Sequence, residues 1–152
     1  MADVSATDAQ ESKRAKIVRV ARETAREVAG KPYLFGGKTT AGFDCSGYVY
    51  YVYHSVFPEF IYLDTEGLRS NVCLKVKADA QPGDLVFFSP GKVPYEVSKG
   101  NNRDFPAHVG IVLDALNWIS SQTSTGVAQV TFSNPWWGSR DKTFYEYKLV
   151  GE

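Results

Sequence analysis

The sequence predicts an α+β domain in which N-terminal helices pack on an antiparallel β-sheet. Two observations favour this class. Helical spacing of apolar residues is confined to the first part of the chain, and short apolar runs bounded by turn residues fill the rest. A length of 152 residues suits one domain. We therefore expect a single domain over residues 1–152, of which residues 1–10 form a loose N-terminal extension.

The first helix is predicted at residues 6–29. Apolar side chains recur there at helical spacing, and the opposite face is charged. Thr7 or Asp8 can cap its start, and Gly30, followed closely by a proline, gives it the usual stop.

A second helix is predicted at residues 45–57, ended by Pro58. The run of tyrosine and valine inside it has strong β propensity, which argues against a helix. We still expect a helix, because Cys-Ser-Gly after a tight glycine-containing loop is a poor start for a strand. A short helical segment is expected at residues 65–71.

Strands and turns are predicted for the second half of the chain. A turn signal at residues 81–84 and a polar loop at residues 89–106 interrupt it. The expected strands cover residues 85–88, 108–113, 118–122, 126–132 and 143–150.

Charge and hydropathy exclude several classes of partner. Seventeen basic and seventeen acidic residues cancel, so no strong field favours nucleic acid or a membrane surface. The chain has no run of about 18 apolar residues, and hence no membrane span is expected. The N-terminus lacks the charged start and apolar run of a signal peptide, which leaves the localisation open. Neither a metal nor a cofactor is expected.

The most informative segment is Gly-Phe-Asp-Cys-Ser-Gly-Tyr at residues 42–48. It places Cys45 in the first turn of the second helix, where backbone N–H groups and the helix dipole favour a negative charge. A thiol there is expected to ionise more easily and to act as a nucleophile. Cys73 is interpreted as a small packed residue in an extended segment. A disulfide between the two cysteines would remove the nucleophile.

Two histidines are candidates for the base that takes the thiol proton. His54 follows Cys45 by nine residues on the same helix, which points it to the opposite side and out of reach. His108 opens a predicted strand, where a sheet edge can face the start of a helix. His108 is therefore the expected base.

A third group would orient the imidazole. If the turn after the His108 strand centres near Asp114, Ser120 lies across from His108, and Gln122 lies one step further on the same face. A Gln carbonyl can accept the imidazole N–H, and a Ser hydroxyl can do so more weakly. The third group is therefore either Gln122 or Ser120, with Gln122 favoured.

Three blocks of sequence resemble the signature of the NlpC/P60 cysteine peptidases. The first block combines Pro-Tyr-Leu-Phe-Gly-Gly at residues 32–37 with Gly-Phe-Asp-Cys-Ser-Gly at residues 42–47. The others are Gln-Pro-Gly-Asp-Leu-Val-Phe-Phe at residues 81–88 and His-Val-Gly-Ile at residues 108–111. The resemblance extends over residues 16–150.

This resemblance implies a papain-like α+β domain that cuts stem peptides of the bacterial cell wall. The usual bond joins γ-D-glutamate to a diamino acid such as diaminopimelate or lysine. By the same resemblance, Cys45 is the nucleophile, His108 is the general base, and Tyr33 lies beside the thiol and helps the oxyanion site. Asp44 and Ser46 help to hold the free amino end of the stem peptide.

The chain departs from the family pattern at two places. Ser120 stands where the family most often has a histidine as the third residue. The loop from Ser89 to Ala107 is long for the family and could wall one side of the cleft. Its side chains either meet substrate carboxylates or are simply solvated: Lys92, Tyr95, Lys99 and Arg103.

Other readings keep the fold and change the activity. Relatives of this shape include amidases and acyltransferases, but permuted relatives place the His block first, and the order of Cys45 before His108 favours a peptidase. A wall-binding module without activity is the remaining alternative. The expected partner is the stem peptide, and a toxin role would add an inhibitor protein. A bacterial or phage protein acting on the wall, in the periplasm or outside the cell, is expected.

Overall fold

The computed structural model describes residues 11–69, 74–88, 108–122, 124–135, 141–148 and 150. Several predicted features lie outside these residues: the extension at residues 1–10, Cys73 and the loop at residues 89–107. The described helices are α1 (Lys13–Glu27), α2 (Cys45–Val56) and α3 (Thr65–Arg69).

The strands form a short hairpin and one large sheet. Strands β1 (Lys38–Thr39) and β2 (Gly42–Phe43) make the hairpin that leads into α2. The large sheet has six strands in the order β3-β8-β4-β5-β6-β7, and every neighbouring pair is antiparallel. These strands are β3 (Leu74–Lys77), β4 (Leu85–Phe88), β5 (His108–Val112), β6 (Asn117–Gln122), β7 (Gly126–Thr131) and β8 (Lys142–Tyr147). The predicted α+β class is confirmed.

Helix α1 starts later than the apolar spacing predicts. Ser12 is its N-cap, and the Ser12 hydroxyl accepts the backbone N–H of Ala15 at 3.0 Å. This helix therefore begins at Lys13 and not at residue 6, and the caps predicted at Thr7 or Asp8 lie outside the described residues. At the other end, Gly30 has φ +85°, a left-handed conformation that glycine adopts without strain.

Helix α2 forms in spite of its β-prone sequence, because the large side chains are buried on several sides. Tyr48 and Tyr53 are both fully buried. The Tyr48 hydroxyl donates to the carbonyl of Ala21 on α1 at 2.7 Å, and the Tyr53 hydroxyl donates to the carbonyl of Gly83. Tertiary packing therefore overrides local propensity, and the predicted helix is confirmed.

The central strands of the sheet are buried on both faces. Residues of alternate position on β4 and β5, such as Leu85 and Ile111, pack with the helices, whereas Val86 and Val112 pack with Trp118 in a second cluster. Double-sided burial explains why β4 is a continuous apolar run.

An ion-pair network joins α1 to the far side of the sheet. Asp84 is completely buried, and its carboxylate lies 2.8 Å from Nη1 of Arg14 and 2.9 Å from Nζ of Lys77. Glu146 on β8 pairs with the same two cations at 3.1 and 3.2 Å. The two cations therefore give the buried carboxylate of Asp84 partners of opposite charge.

The turn between β5 and β6 centres on Ala115 rather than on Asp114. The Asp114 carboxylate accepts the N–H of Leu116 at 2.8 Å and the side-chain amide of Asn117 at 3.0 Å, which closes the turn one residue later. The ladder accordingly pairs Ile111 with Ile119 and Val112 with Trp118. This register is displaced by two residues from the predicted one.

Candidate active site

Cys45 is the first residue of α2, and the preceding residue shapes the start of that helix. Asp44 is the N-cap, and its Oδ1 accepts the N–H of Gly47 at 2.7 Å. The other oxygen of the same carboxylate accepts the N–H of Gly36 at 2.9 Å, and the Ser46 hydroxyl lies 3.3 Å from Oδ1. Asp44 and Ser46 are both buried. The carboxylate therefore locks the glycine loop onto the helix that carries the thiol.

The absence of a side chain at Gly47 allows this loop to rest on the helix. The backbone N–H of Asp44 donates to the carbonyl of Gly37 at 3.1 Å. A Cβ atom added at Gly47 would lie 1.8 Å from that same carbonyl oxygen. The Cys-Ser-Gly sequence thus needs its glycine for a close approach of two backbone segments.

The thiol of Cys45 lies between the helix start, α3 and the beginning of β5. Cys45 is a free cysteine, and its Sγ is 3.3 Å from Oγ1 of Thr65, the first residue of α3. The backbone N–H groups of Val109 and Ser46 lie close enough to the sulfur to lower the pKa of the thiol. One hydroxyl and two backbone N–H groups therefore surround one buried sulfur atom.

The pKa of the Cys45 thiol is higher than usual, contrary to the expectation from helix position alone. Burial is the main cause, and the negative charge of Asp44 adds to it. The bonds from Thr65, Val109 and Ser46 act in the opposite direction and do not outweigh burial. The N-cap carboxylate offsets the helix dipole that would favour a thiolate.

His108 is the first residue of β5, directly before the residue whose N–H contacts the thiol. Its ring packs edge-on against Trp118 with ring centroids 5.7 Å apart, and Phe88 lies at 6.4 Å. Gly110 permits this arrangement, because a Cβ there would come within 2.6 Å of the Trp118 ring. The structure thus brings the start of β5 near Cys45, whereas the His108 ring lies on the sheet face of Phe88 and Trp118, opposite the helices.

His54 is held away from this position. It lies in the last turn of α2, stacks on Tyr50 with ring centroids 5.1 Å apart, and has its Nδ1 3.0 Å from the carbonyl oxygen of Phe60. This agrees with its exclusion as a partner of Cys45.

The two candidates for the third residue have different surroundings. The Ser120 hydroxyl is buried and donates to the carbonyl of Val109 at 2.7 Å. Continuing the observed register of β5 and β6 places Gln122, not Ser120, opposite His108. The prediction that Ser120 lies across from His108 is therefore wrong, because the turn centres later than expected.

Tyr33 precedes the glycine loop and lies close to the thiol. Partial burial raises the pKa of its hydroxyl, and the nearby charges of Cys45, Asp44 and Tyr62 raise it further. The Tyr33 hydroxyl therefore stays protonated at neutral pH and can donate a hydrogen bond.

Sequence reasoning did not identify two residues of this site, Thr65 and Ser121. The Thr65 hydroxyl contacts the thiol, and the buried Ser121 hydroxyl donates to the carbonyl of Phe43, two residues before Cys45. Both contacts join segments that are distant in sequence, and neither residue stands in a recognisable motif.

Metal and membrane features can be assessed for the described part of the chain. Within it, no group of three or more His, Cys, Asp or Glu side chains is arranged to hold a metal ion. Within the same residues, no helix combines the length and the apolar character needed to cross a membrane.

Comparison with known proteins agrees with the sequence motifs. Residues 30–145 match the model of the NlpC/P60 family. The chain is 32% identical over 121 residues to the probable endopeptidase NlpC of Escherichia coli K12, covering 80% of this chain and 70% of that protein. It is 29% identical over 119 residues to the gamma-DL-glutamyl hydrolase of Bacillus subtilis 168, covering 78% of this chain and 26% of that protein.

A solved structure shows the same architecture. The NlpC/P60 domain of the peptidoglycan hydrolase SagA superposes with a TM-score of 0.61 at 29% identity, covering 86% of this chain and 96% of that domain. The family match spans more than half of the chain and includes both Cys45 and His108. The predicted resemblance is confirmed, and the chain belongs to the NlpC/P60 family.

Proposed function

We propose that this protein is a cysteine endopeptidase that hydrolyses peptidoglycan stem peptides with Cys45 as the nucleophile. The observation that carries the proposal is the free Cys45 thiol at the start of α2, close to Val109 and so to the start of the His108 strand. A free thiol at a helix start beside a histidine-bearing strand is an arrangement suited to nucleophilic catalysis. Family membership and the endopeptidase names of its relatives support the same activity.

In the first step, His108 takes the thiol proton and the sulfur attacks the scissile carbonyl carbon. A carbon–sulfur bond forms, and the carbonyl oxygen becomes an oxyanion. Backbone N–H groups at the start of α2 and the protonated Tyr33 hydroxyl donate to that oxygen. To take the thiol proton, the His108 side chain has to turn around the start of β5, where Val109 lies close to the sulfur.

In the second step, the imidazolium of His108 gives its proton to the leaving nitrogen, and the carbon–nitrogen bond breaks. The acyl group remains on Cys45 as a thioester. His108 then takes a proton from water, and the resulting hydroxide attacks the thioester. The carbon–sulfur bond breaks, and the thiol is restored with the proton held by His108.

Gln122 is the proposed group that orients His108. The pairing of Ile111 with Ile119, continued along both strands, supports a position opposite His108, and an amide carbonyl can accept the second imidazole N–H. Ser120 is less suited, because its hydroxyl proton is already donated to the carbonyl of Val109.

The proposed substrate bond is the one between γ-D-glutamate and a diamino acid. Similarity to a gamma-DL-glutamyl hydrolase supports recognition of a γ-glutamyl linkage. The buried carboxylate of Asp44, with Ser46 beside it, supplies a negative charge near the thiol for the free amino end of the stem peptide. Such a substrate places the site of action at the bacterial cell wall, in the periplasm or outside the cell.

Digestion of purified sacculi tests this proposal, with muropeptides identified by mass spectrometry. The parent protein should release fragments with a new γ-D-glutamyl carboxylate and a new diamino acid amine. Cys45→Ala should release none while keeping its circular dichroism spectrum, and the matched variant Cys73→Ala should remain active. Cleavage by Cys45→Ala would refute the nucleophile, and fragments cut at another bond would refute the proposed linkage.

A further inference from the structure

The Thr65 hydroxyl lies 3.3 Å from the sulfur of Cys45, although Thr65 belongs to a different helix twenty residues further along the chain. We propose that Thr65 is a positioning residue whose hydroxyl donates a hydrogen bond to the Cys45 thiolate once the thiol proton has left, and so stabilises and directs the nucleophile. This inference rests on the proposed role of Cys45 as the nucleophile.

The need for such a donor follows from the surroundings of the sulfur. Cys45 is 8% exposed, so water contributes little to solvating a negative charge on it. The buried carboxylate of Asp44, one residue away, opposes that charge as well. A thiolate at this position therefore depends on protein donors, and among these the Thr65 hydroxyl has the largest effect on the thiol pKa, ahead of the N–H groups of Val109 and Ser46.

The chemistry of the pair fixes the direction of the bond once the sulfur ionises. A neutral thiol can donate to a hydroxyl or accept from it, whereas a thiolate can only accept. Ionisation therefore turns the contact into a charge-assisted hydrogen bond, which is stronger than a neutral one. The bond weakens again as the sulfur forms its bond to carbon and loses its charge. Thr65 thus acts on the thiolate before it attacks, and on the pH at which the thiolate becomes available.

The segment that carries Thr65 is anchored, so its hydroxyl has a fixed place. Asp64 caps α3 by accepting the N–H of Gly67 at 2.8 Å, and Leu68 is fully buried in the helix-side core. On the other side, the ring of Tyr62 packs edge-on against Tyr50 of α2, with centroids 5.7 Å apart. These contacts set the distance between α3 and the start of α2.

The test measures the reactivity of the thiol directly, without a peptidase substrate. The full-length protein and its variants are treated with iodoacetamide across a pH series, and alkylation of Cys45 is followed by peptide-resolved mass spectrometry, which separates it from Cys73. The variants are Thr65→Val, which keeps the shape and removes the hydroxyl, and Thr65→Ser, which keeps the hydroxyl. Thr65→Ala removes the same hydroxyl without a branched side chain, and Ser55→Ala removes an exposed hydroxyl from α2 as the matched control.

The midpoint of alkylation should move upward by roughly one pH unit in Thr65→Val and Thr65→Ala, which is about tenfold less thiolate at a given lower pH. The acid limb of kcat/KM for sacculus cleavage should move in the same direction. Thr65→Ser and Ser55→Ala should keep the parent midpoint. An unchanged midpoint in the two variants without the hydroxyl, or a Ser variant that behaves like Val, would overturn the inference.

The outcomes separate this inference from the proposed function. If Cys45→Ala abolishes cleavage and the pH midpoint of alkylation is the same in the Thr65 variants as in the parent protein, the proposed nucleophile is supported and the role of Thr65 is refuted. If the midpoint moves with Thr65 and Cys45→Ala still cleaves, Thr65 does tune the thiol, but the thiol is not the nucleophile.

Discussion

Ser121 on β6 donates its hydroxyl proton to the carbonyl oxygen of Phe43 at 2.7 Å, and so the sheet is tied to the segment that delivers Cys45. The same carbonyl accepts the N–H of Leu34 at 3.1 Å, next to Tyr33. One backbone oxygen therefore joins three parts of the chain: the segment after Tyr33, the strand before Cys45 and the large sheet. This junction fixes the thiol with respect to the sheet before any substrate arrives.

We expect Ser121→Ala to lower the free energy of unfolding by about 0.5–1.5 kcal/mol, because one buried hydrogen bond is lost while the carbonyl keeps Leu34 as a donor. Activity should fall through kcat, since the helix start is less firmly placed against β5. Urea unfolding and steady-state kinetics measure the two effects. Ser133→Ala, which alters an exposed hydroxyl on the chain surface, is the control and should change neither. Unaltered stability in Ser121→Ala would show that this bond contributes nothing.

Tyr33→Phe tests the donor proposed for the oxyanion. Removing one such donor typically costs 100-fold or more in kcat when the donor is a main contributor. Because backbone N–H groups share the task here, we expect a decrease of about ten- to a hundredfold in kcat with little change in KM. Kinetics with a purified stem peptide provide both constants. A rise in KM alone would instead assign Tyr33 to substrate binding.

Gln122→Ala and Ser120→Ala distinguish the two candidates for the third residue. Loss of an orienting group should lower kcat and leave folding nearly intact, as expected for Gln122→Ala. Ser120→Ala should instead lower stability by about 0.5–1.5 kcal/mol with kcat largely preserved, because its buried hydroxyl bonds to the carbonyl of Val109. The reverse pattern, with kcat lost in Ser120→Ala and kept in Gln122→Ala, would identify Ser120 as the orienting residue.

Because of Glu146, we expect the free energy of unfolding to fall at acid pH. Partial burial raises its pKa, but the hydrogen bond and charge of Lys77 and the charge of Arg14 outweigh this, so the pKa lies below its ordinary value of 4.5. A carboxyl whose pKa is depressed by folding stabilises the native state above its unfolded pKa, and that contribution disappears as the pH falls through the folded pKa. Glu146→Gln should therefore lower stability at neutral pH and narrow its difference from the parent protein below about pH 4.5. The free energies of unfolding of the two proteins can be measured in urea at each pH, and a difference between them that stays the same at every pH would contradict this prediction.

Local sequence signals predicted the elements of the fold well. The Gly30 stop, the strand at residues 85–88 and the helix that begins at Cys45 all appear where backbone chemistry and apolar spacing placed them. The errors occurred where two local signals compete. Helix α1 is capped by Ser12 and does not start at residue 6 as expected. The turn between β5 and β6, closed by the Asp114 carboxylate, centres one residue later than expected.

The effect of the surroundings on the Cys45 thiol could not be predicted from local sequence. Position at a helix start predicts an acidic thiol, but burial depends on residues brought in by tertiary structure, and it raises the pKa of Cys45 instead. The contact between Thr65 and Cys45 joins α3 to α2, and no local sequence pattern predicts it. Motifs predicted the candidate reactive side chains, whereas the contacts around them, such as that of Thr65, became visible only in the packed structure.

The close approach at Gly47 has a consequence for how substitutions act on this protein. The loop that carries Tyr33 and the helix that carries Cys45 touch through bare backbone, and a single added methyl group would collide with the carbonyl of Gly37 at 1.8 Å. An exchange of Gly47 for alanine would leave every reactive side chain in the sequence and still part the loop from the helix. Loss of activity in this family member can therefore arise at a residue that takes no part in the chemistry and has no side chain to inspect.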